Sequence, residues 1–295
     1  MPDLSGKIDI NMKKNTTTNV ISFQERLLKK APVAMMPMES PHTTLPKMIA
    51  VSSGKGGVGK TNIVANLGFA LSGLGKKTLI MDTDLGLGNL DVLLGITPRY
   101  NISHVISGEK SIADILVEGP GNMKILPASS GIQALTHLTH TQMDLISEQM
   151  LQIITLFDVV LIDTAAGISS NVLYFNASAH DVCVVVTPDL TAITDAYALI
   201  KVLSIQYGIS GFGLLVNQVE NPEEAREIFN HLELVTRQFL DVSIQFMGHI
   251  IKDENIPKGV RSQKMVSEMY PKSSASVCFN VLARQIDDVM SNQTD

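Results

Sequence analysis

The chain contains no tryptophan, five tyrosines and only two cysteines, Cys183 and Cys278. The two cysteines are far apart and each sits in an apolar stretch, so they read as reduced core residues rather than a disulfide framework. No apolar run approaches the roughly 20 residues that span a bilayer. Met1, Pro2 and Asp3 open no charged-then-apolar signal pattern, which makes the cytoplasm the expected location. An excess of positive charge is also missing. Lys and Arg number 23 against 29 Asp and Glu, and the net charge of −6 supplies no global attraction to nucleic acid or anionic lipid.

What is present belongs to a soluble globular protein. Hydrophobic residues make up 45% and charged residues 18%, too apolar a mixture for a disordered chain. A length of 295 residues allows one large α/β domain or two small ones. Residues 1–47 differ from the rest. They carry scattered lysines, a run of threonines at 16–18, and Pro32, Pro37, Pro41 and Pro46 with little periodicity, and are expected to form a flexible tail. Within it, residues 22–30 have the makings of two helical turns, with Ser22 as cap, Glu25 completing a capping box and Pro32 as terminator. A segment this short is helical mainly when docked.

From Met48 onward, short apolar runs alternate with helical patterns. This is the signature of a doubly wound, mostly parallel sheet with helices on both faces. Strands are predicted at 48–53, 78–82, 123–127, 158–163, 182–187, 211–217 and 245–251. Several are apolar throughout, as strands buried on both faces are. The clearest helices are 142–156, 191–206, 222–240 and 273–290. No linker interrupts 48–290, which is read as one domain, followed by a short tail at 291–295.

One stretch organises the rest. Ser53-Gly54-Lys55-Gly56-Gly57-Val58-Gly59-Lys60-Thr61 follows the first strand and precedes a helical pattern. Gly54, Gly59, Lys60 and Thr61 satisfy G-x-x-x-x-G-K-[ST], a match expected by chance in roughly one chain in a hundred of this length. Glycines turn backbone N–H groups onto an anion, and the helix start adds its positive dipole end. In such a loop Lys60 reaches the β and γ phosphates and the Thr61 hydroxyl binds Mg²⁺. Three carboxylates end strands on the same predicted sheet edge, where α/β folds bind ligands. Asp163 is placed to hold Mg²⁺, usually through a water. Asp82 and Asp84, at i and i+2 of an extended chain, point to one side. From there one can meet the metal's water shell while the other orients the attacking water. A polar turn with Asp91 capping a helix is the plainer reading of the latter pair.

These residues resemble the deviant-Walker ATPases that include MinD and ParA. Their loop carries an extra early lysine in K-G-G-x-G-K-[ST], matched here by Lys55. That resemblance implies an ATP- and Mg²⁺-dependent sandwich homodimer in which Lys55 reaches the partner's nucleotide. It also implies Asp84 as catalytic acid, Asp163 as Walker B acid and Asp82 as an auxiliary acid near the metal. Gly54, Lys55, Gly56, Gly57, Val58, Gly59, Lys60, Thr61 and Asn62 would line the nucleotide, with Asn217 and Asp253 at the adenine. Stretches 82–91, 163–168 and especially 194–201 resemble the FlhG branch, the regulators of flagellar number. The implied partners are an FlhF-type GTPase, flagellar C-ring proteins and a FleQ-type activator. Iron–sulfur relatives need paired cysteines, and the tyrosine kinases of this fold need a C-terminal tyrosine cluster. This chain offers neither, since only Tyr270 lies near the end.

There are departures. Asp189-Leu190 follows Thr187-Pro188 where the family often has Glu-Pro. The FlhF-stimulating motif D-Q-A-x-x-L-R is matched only at Gln24, Leu28 and basic Lys29, so the segment reads either as that activator or as an inert tail. In 273–290, Phe279, Leu282, Ile286 and Val289 share a helical face. The helix is not basic, and it reads either as core-packed or as a peripheral anchor on the inner face of the cell membrane at the pole. Lys258, Arg261 and Lys264 make the one basic group that favours a ParA-like, DNA-segregating alternative. Three charges would give only a weak, salt-sensitive site, so direct nucleic-acid binding is not expected.

Overall fold

The computed structural model describes residues 45–292 apart from 87, 130 and 132. Of the expected tail 1–47, residues 1–44 with segment 22–30 lie outside the described residues, as does the 293–295 end, whereas Lys47 already belongs to the first strand. The chain runs β1 (Lys47–Ser53), α1 (Lys60–Gly73), β2 (Thr78–Asp82), α2 (Leu90–Leu94), α3 (Ile102–Ile106), α4 (Ile112–Ile115), β3 (Val117–Glu118) and β4 (Lys124–Leu126). It continues through α5 (His140–Ile153), β5 (Val159–Ala166), α6 (Ser170–Ala177), β6 (Asp181–Val186), α7 (Leu190–Tyr207) and β7 (Gly211–Val219). The last elements are α8 (Pro222–Leu240), β8 (Ser243–Ile251), α9 (Asn255–Arg261), α10 (Val266–Met269) and α11 (Ser274–Ser291). All seven predicted strands and all four predicted helices are present. The eighth strand, β3, is too short to register as a hydrophobic period.

The sheet order is β3-β4-β2-β5-β1-β6-β7-β8, parallel throughout except for β3 against β4. Alternate residues of β1 serve opposite cores. Ile49 and Val51 pack under α1 and α11, whereas Met48 and Ala50 face the layer that includes α5. Farther along that second face, β6 and β7 pack beneath α7 and α8. Double-sided burial explains why these strands read as unbroken apolar runs. After β1 the chain crosses β5 to reach β2, and after β5 it crosses β1 to reach β6. The sheet order therefore reverses at β1/β5, and the loops leaving β1, β2 and β5 meet over one crevice.

Local signals set the helix starts. Thr139 and Gln142 form a reciprocal capping box on α5. Pro222 occupies the first turn of α8, where the Asn221 side chain accepts from Glu224 N at 2.9 Å. The cap of α2 is Asn89, with Asp91 inside the first turn rather than at the cap. In α11 the apolar face is buried: Phe279, Leu282 and Ile286 belong to the core beside α1, and Asp287 pairs with Lys76. Lipid contact through that face would require the helix to leave the sheet. Among the described residues no helix is long and apolar enough to cross a membrane.

Candidate functional site

β1 delivers its chain to residues 54–59, and Gly59 caps α1 at φ 93°, a left-handed conformation that favours glycine. A Cβ at Gly59 would also meet Asn217 Nδ2 at 2.6 Å, and one at Gly54 would collide with the Asp195 backbone. The loop is therefore packed from outside by β7 and α7. Beneath it, Thr164 Oγ1 donates to the Val51 carbonyl (3.1 Å) and to Ser52 Oγ (3.0 Å), while Asn176 Nδ2 donates to Ser52 Oγ (3.0 Å). Sequence reasoning missed this buried polar brace. Its members lie 112 and 124 residues from Ser52, and no local pattern marks them.

Lys60 is buried, and its ammonium donates to Ser53 Oγ at 2.8 Å. Burial pulls its pKa down, opposed by the charges of Asp163 and Asp84. Asp82 and Asp163 are register partners on β2 and β5, both buried. Burial pushes the Asp163 carboxyl up to about 7, against the hydrogen bond from Thr61 and the Lys60 charge. Burial likewise raises Asp82 well above the ordinary range, reinforced by Asp163. Thr83 ties the β2 end to β5, donating to the Asp163 carbonyl from N (2.9 Å) and Oγ1 (2.8 Å). Asp84, half-buried, donates its N–H to Asp82 Oδ1 at 3.1 Å.

This set suits a divalent cation that arrives with phosphates. Asp163 Oδ1 is buried with no hydrogen-bond partner, beside the Thr61 hydroxyl and the destabilised Asp82 carboxyl. Among the described residues no cluster of three or more His, Cys, Asp or Glu forms a protein-only metal cage. Mg²⁺ bound mainly through waters and substrate phosphates needs none.

Lys55 is held within its own chain. Its ammonium donates to Asp189 Oδ2 and to Thr191 Oγ1, both at 2.6 Å. The Asp189 carboxyl is drawn below the usual range by Lys55 first and then by Thr191. Asp189 also caps α7, accepting from Thr191 N at 2.7 Å. An Asp-x-Thr start to a helix beside the loop was the available signal for this clamp, which the sequence shows only as a departure from Glu-Pro. If the clamp competes with other uses of Lys55, Asp189→Asn should raise the rate of ATP hydrolysis at limiting ATP, checked by phosphate release. The pair is solvent-exposed, so the rise should be no more than a few-fold.

The two residues expected at adenine have internal partners. Asn217 Nδ2 donates to the Val58 carbonyl at 2.7 Å, and its Oδ1 accepts from Gln218 N at 2.9 Å. One amide hydrogen of Asn217 remains for a base. Asp253 accepts from Asn255 N (2.9 Å) and Nδ2 (2.8 Å) through one oxygen and from Ala275 N (3.1 Å) through the other, so it fastens α9 to the start of α11. Lys55, Gly56, Gly57 and Val58 line an opening of about 410 Å³ toward Glu220, Glu224 and Lys252. Asn62 lies in the first turn of α1, and its carbonyl and Oδ1 accept from Asn66 Nδ2. In the basic group, Lys258 pairs with Glu254 and Lys264 with Glu268.

The family described as AAA domain matches residues 46–221. The antiactivator FleN of Pseudomonas aeruginosa is 44% identical over 241 residues, covering 82% of this chain and 86% of that protein. The flagellum site-determining protein YlxH of Helicobacter pylori is 32% identical over 240 residues, covering 80% of each. Among solved structures, the cell division ATPase MinD of Pyrococcus furiosus superposes with a TM-score of 0.70 at 24% identity, over 83% of this chain and all of that one. MinD of Pyrococcus horikoshii, complexed with Mg-ADP, gives 0.68 at 24% identity, over 83% of this chain and 97% of that one. The fold, the phosphate loop and the relatives agree, and the chain belongs to the MinD/ParA-type ATPases, in the branch that holds FleN and YlxH.

Proposed function

We propose that this chain is an ATP-driven switch that regulates flagellar number or placement. In this reading ATP joins two copies, hydrolysis separates them, and the two states bind partners differently. The observation that carries it is Lys55. It sits on the rim of the phosphate loop, its ammonium held by an exposed carboxylate and a hydroxyl, and on this reading it leaves them for a second molecule. The backbone N–H groups of residues 54–60 and the Lys60 ammonium cradle the phosphates. Thr61 and Asp163 are the residues that would hold Mg²⁺, with Asp82 as an auxiliary acid near it, and the ion would supply charge neutralisation on the phosphates. Asp84 orients the attacking water, and the remaining N–H of Asn217 reads the base. The name of the Pseudomonas relative, an antiactivator, favours a transcriptional activator as one partner. An FlhF-type GTPase and C-ring proteins are further partners on this reading, and a peripheral membrane position at the pole is the fullest form of it. The DNA-segregating alternative draws little support, because two of its three cations are paired with carboxylates of neighbouring turns.

Deleting the gene in its host should change the number of flagella per cell, counted by electron microscopy. A complementing copy with Lys55→Ala should fail to restore the count. Normal flagellation combined with plasmid or chromosome loss would transfer the chain to the segregation class.

A further inference from the structure

At the sheet edge opposite the phosphate loop, where the parallel strands begin, the fold leaves a cavity of about 630 Å³. The starts of β1, β6, β7 and β8 form one wall and the last turns of α11 the other. Gly208 and Gly211 line it without side chains, whereas the room over Gly213 is taken by the Met247 side chain. Met247, Leu282 and Ile286 make its walls apolar, and Val289, 49% exposed, stands at the mouth. The polar rim includes Lys47, Asp181 and Gln285. Apolar walls with a few polar groups at the edge, at this volume, are the makings of a recognition pocket.

The chain itself supplies a suitable occupant. Lys47, a rim residue, is where the first 46 residues enter the fold, so whatever precedes it is tethered at the mouth. About 16 residues separate segment 22–30 from Lys47, a contour of roughly 50 Å when extended. A short tether of this kind sets a local concentration in the millimolar range. Phe23 and Leu27 are four apart, a spacing that would put them on one side of the helix expected from the sequence, and Arg26, Lys29 and Lys30 add positive charge. The negative end of α11 answers, since its last turn holds no basic residue and its Asp288 is exposed, whereas Asp181 on the rim is already paired with Lys47 at 2.8 Å.

We propose that residues 22–30 dock in cis into this cavity, with Phe23 and Leu27 in the apolar part and the cations over the α11 end. The docked segment is then withheld from any other protein that recognises it, so a partner must compete with the cavity.

Hydrogen exchange on the full-length chain tests this. In Phe23→Asp/Leu27→Asp, amides of residues 208–213 and 243–247 should exchange about tenfold faster or more than in the unmodified chain, with α1 unchanged. Equal exchange in the two proteins overturns the proposal. A second variant, Leu27→Cys/Gln285→Cys on a Cys278→Ser background, should form an intramolecular disulfide when oxidised with diamide. A disulfide-linked dimer would assign the cavity to a second copy, and no disulfide in a variant of unchanged Tm would leave the segment undocked; either result overturns docking in cis.

Discussion

Asp84→Ala should bind ATP and, on the proposed switch, still join two copies, while phosphate release falls by roughly 10²- to 10⁴-fold, the usual contribution of a positioned proton acceptor. The argument rests on how β2 ends. Asp82 is buried, register-paired with Asp163, and its Oδ1 already accepts the Asp84 N–H, so it is poorly placed to meet an attacking water. Asp84, two residues on, is half-buried at the mouth of the crevice. Its backbone N–H is fixed by Asp82 Oδ1, which aims the following chain without occupying the Asp84 carboxylate. Phosphate release measured beside size-exclusion chromatography in ATP separates the two effects. Turnover at the normal rate would remove Asp84 from the mechanism, and loss of dimer together with turnover would make it a binding residue.

The second large effect concerns stability without nucleotide. Asp163 holds its proton up to about pH 7 in the fold, whereas an unfolded aspartate releases it near 4. The native state therefore binds more protons than the unfolded chain between these values. The contribution is fully present below about pH 4 and is lost as pH rises toward 7, amounting to a few kcal/mol. His180 and His249, whose pKa values burial lowers, act in the opposite sense over part of this range. The decisive readout is thus a difference between proteins. Asp82→Asn, which keeps an acceptor for Asp84 N but cannot ionise, should raise Tm without nucleotide at pH 8 more than at pH 5. Mg-ADP should stabilise the unmodified chain and do less for the variant. An equal shift of Tm at both pH values would mean that the two carboxylates are not in conflict in the native state.

Both predictions, and the clamp on Lys55, come from groups that converge at the strand ends. Part of that convergence was legible beforehand. Buried parallel strands must be apolar on both faces, so β1, β2, β5, β6 and β7 appear in the sequence as runs whose lengths fix where each loop begins. The phosphate loop is legible for a related reason: its chemistry is backbone geometry, and only glycine at Gly54 and Gly59 meets the steric and conformational demand. Asp82, Asp84 and Asp163 follow as polar residues that end apolar runs on one edge of a parallel sheet.

The sequence by itself thus determined the sheet, the loop and the edge on which the acids stand, because each depends on residues within a few positions of one another. Tertiary structure alone decided how these residues are partnered. Lys55 meets Asp189 across 134 residues, Asn217 braces Val58 across 159, and Ser52 rests on Thr164 and Asn176. The apolar face of α11 looks the same in sequence whether it meets lipid or protein. Only the packing of Phe279 and Leu282 against the core beside α1 shows which surface covers it here. Side-chain partners of this kind are set by chain crossings, and no local period records them. Lys55 is the clearest instance: the motif marks it as unusual, and the fold shows what holds it.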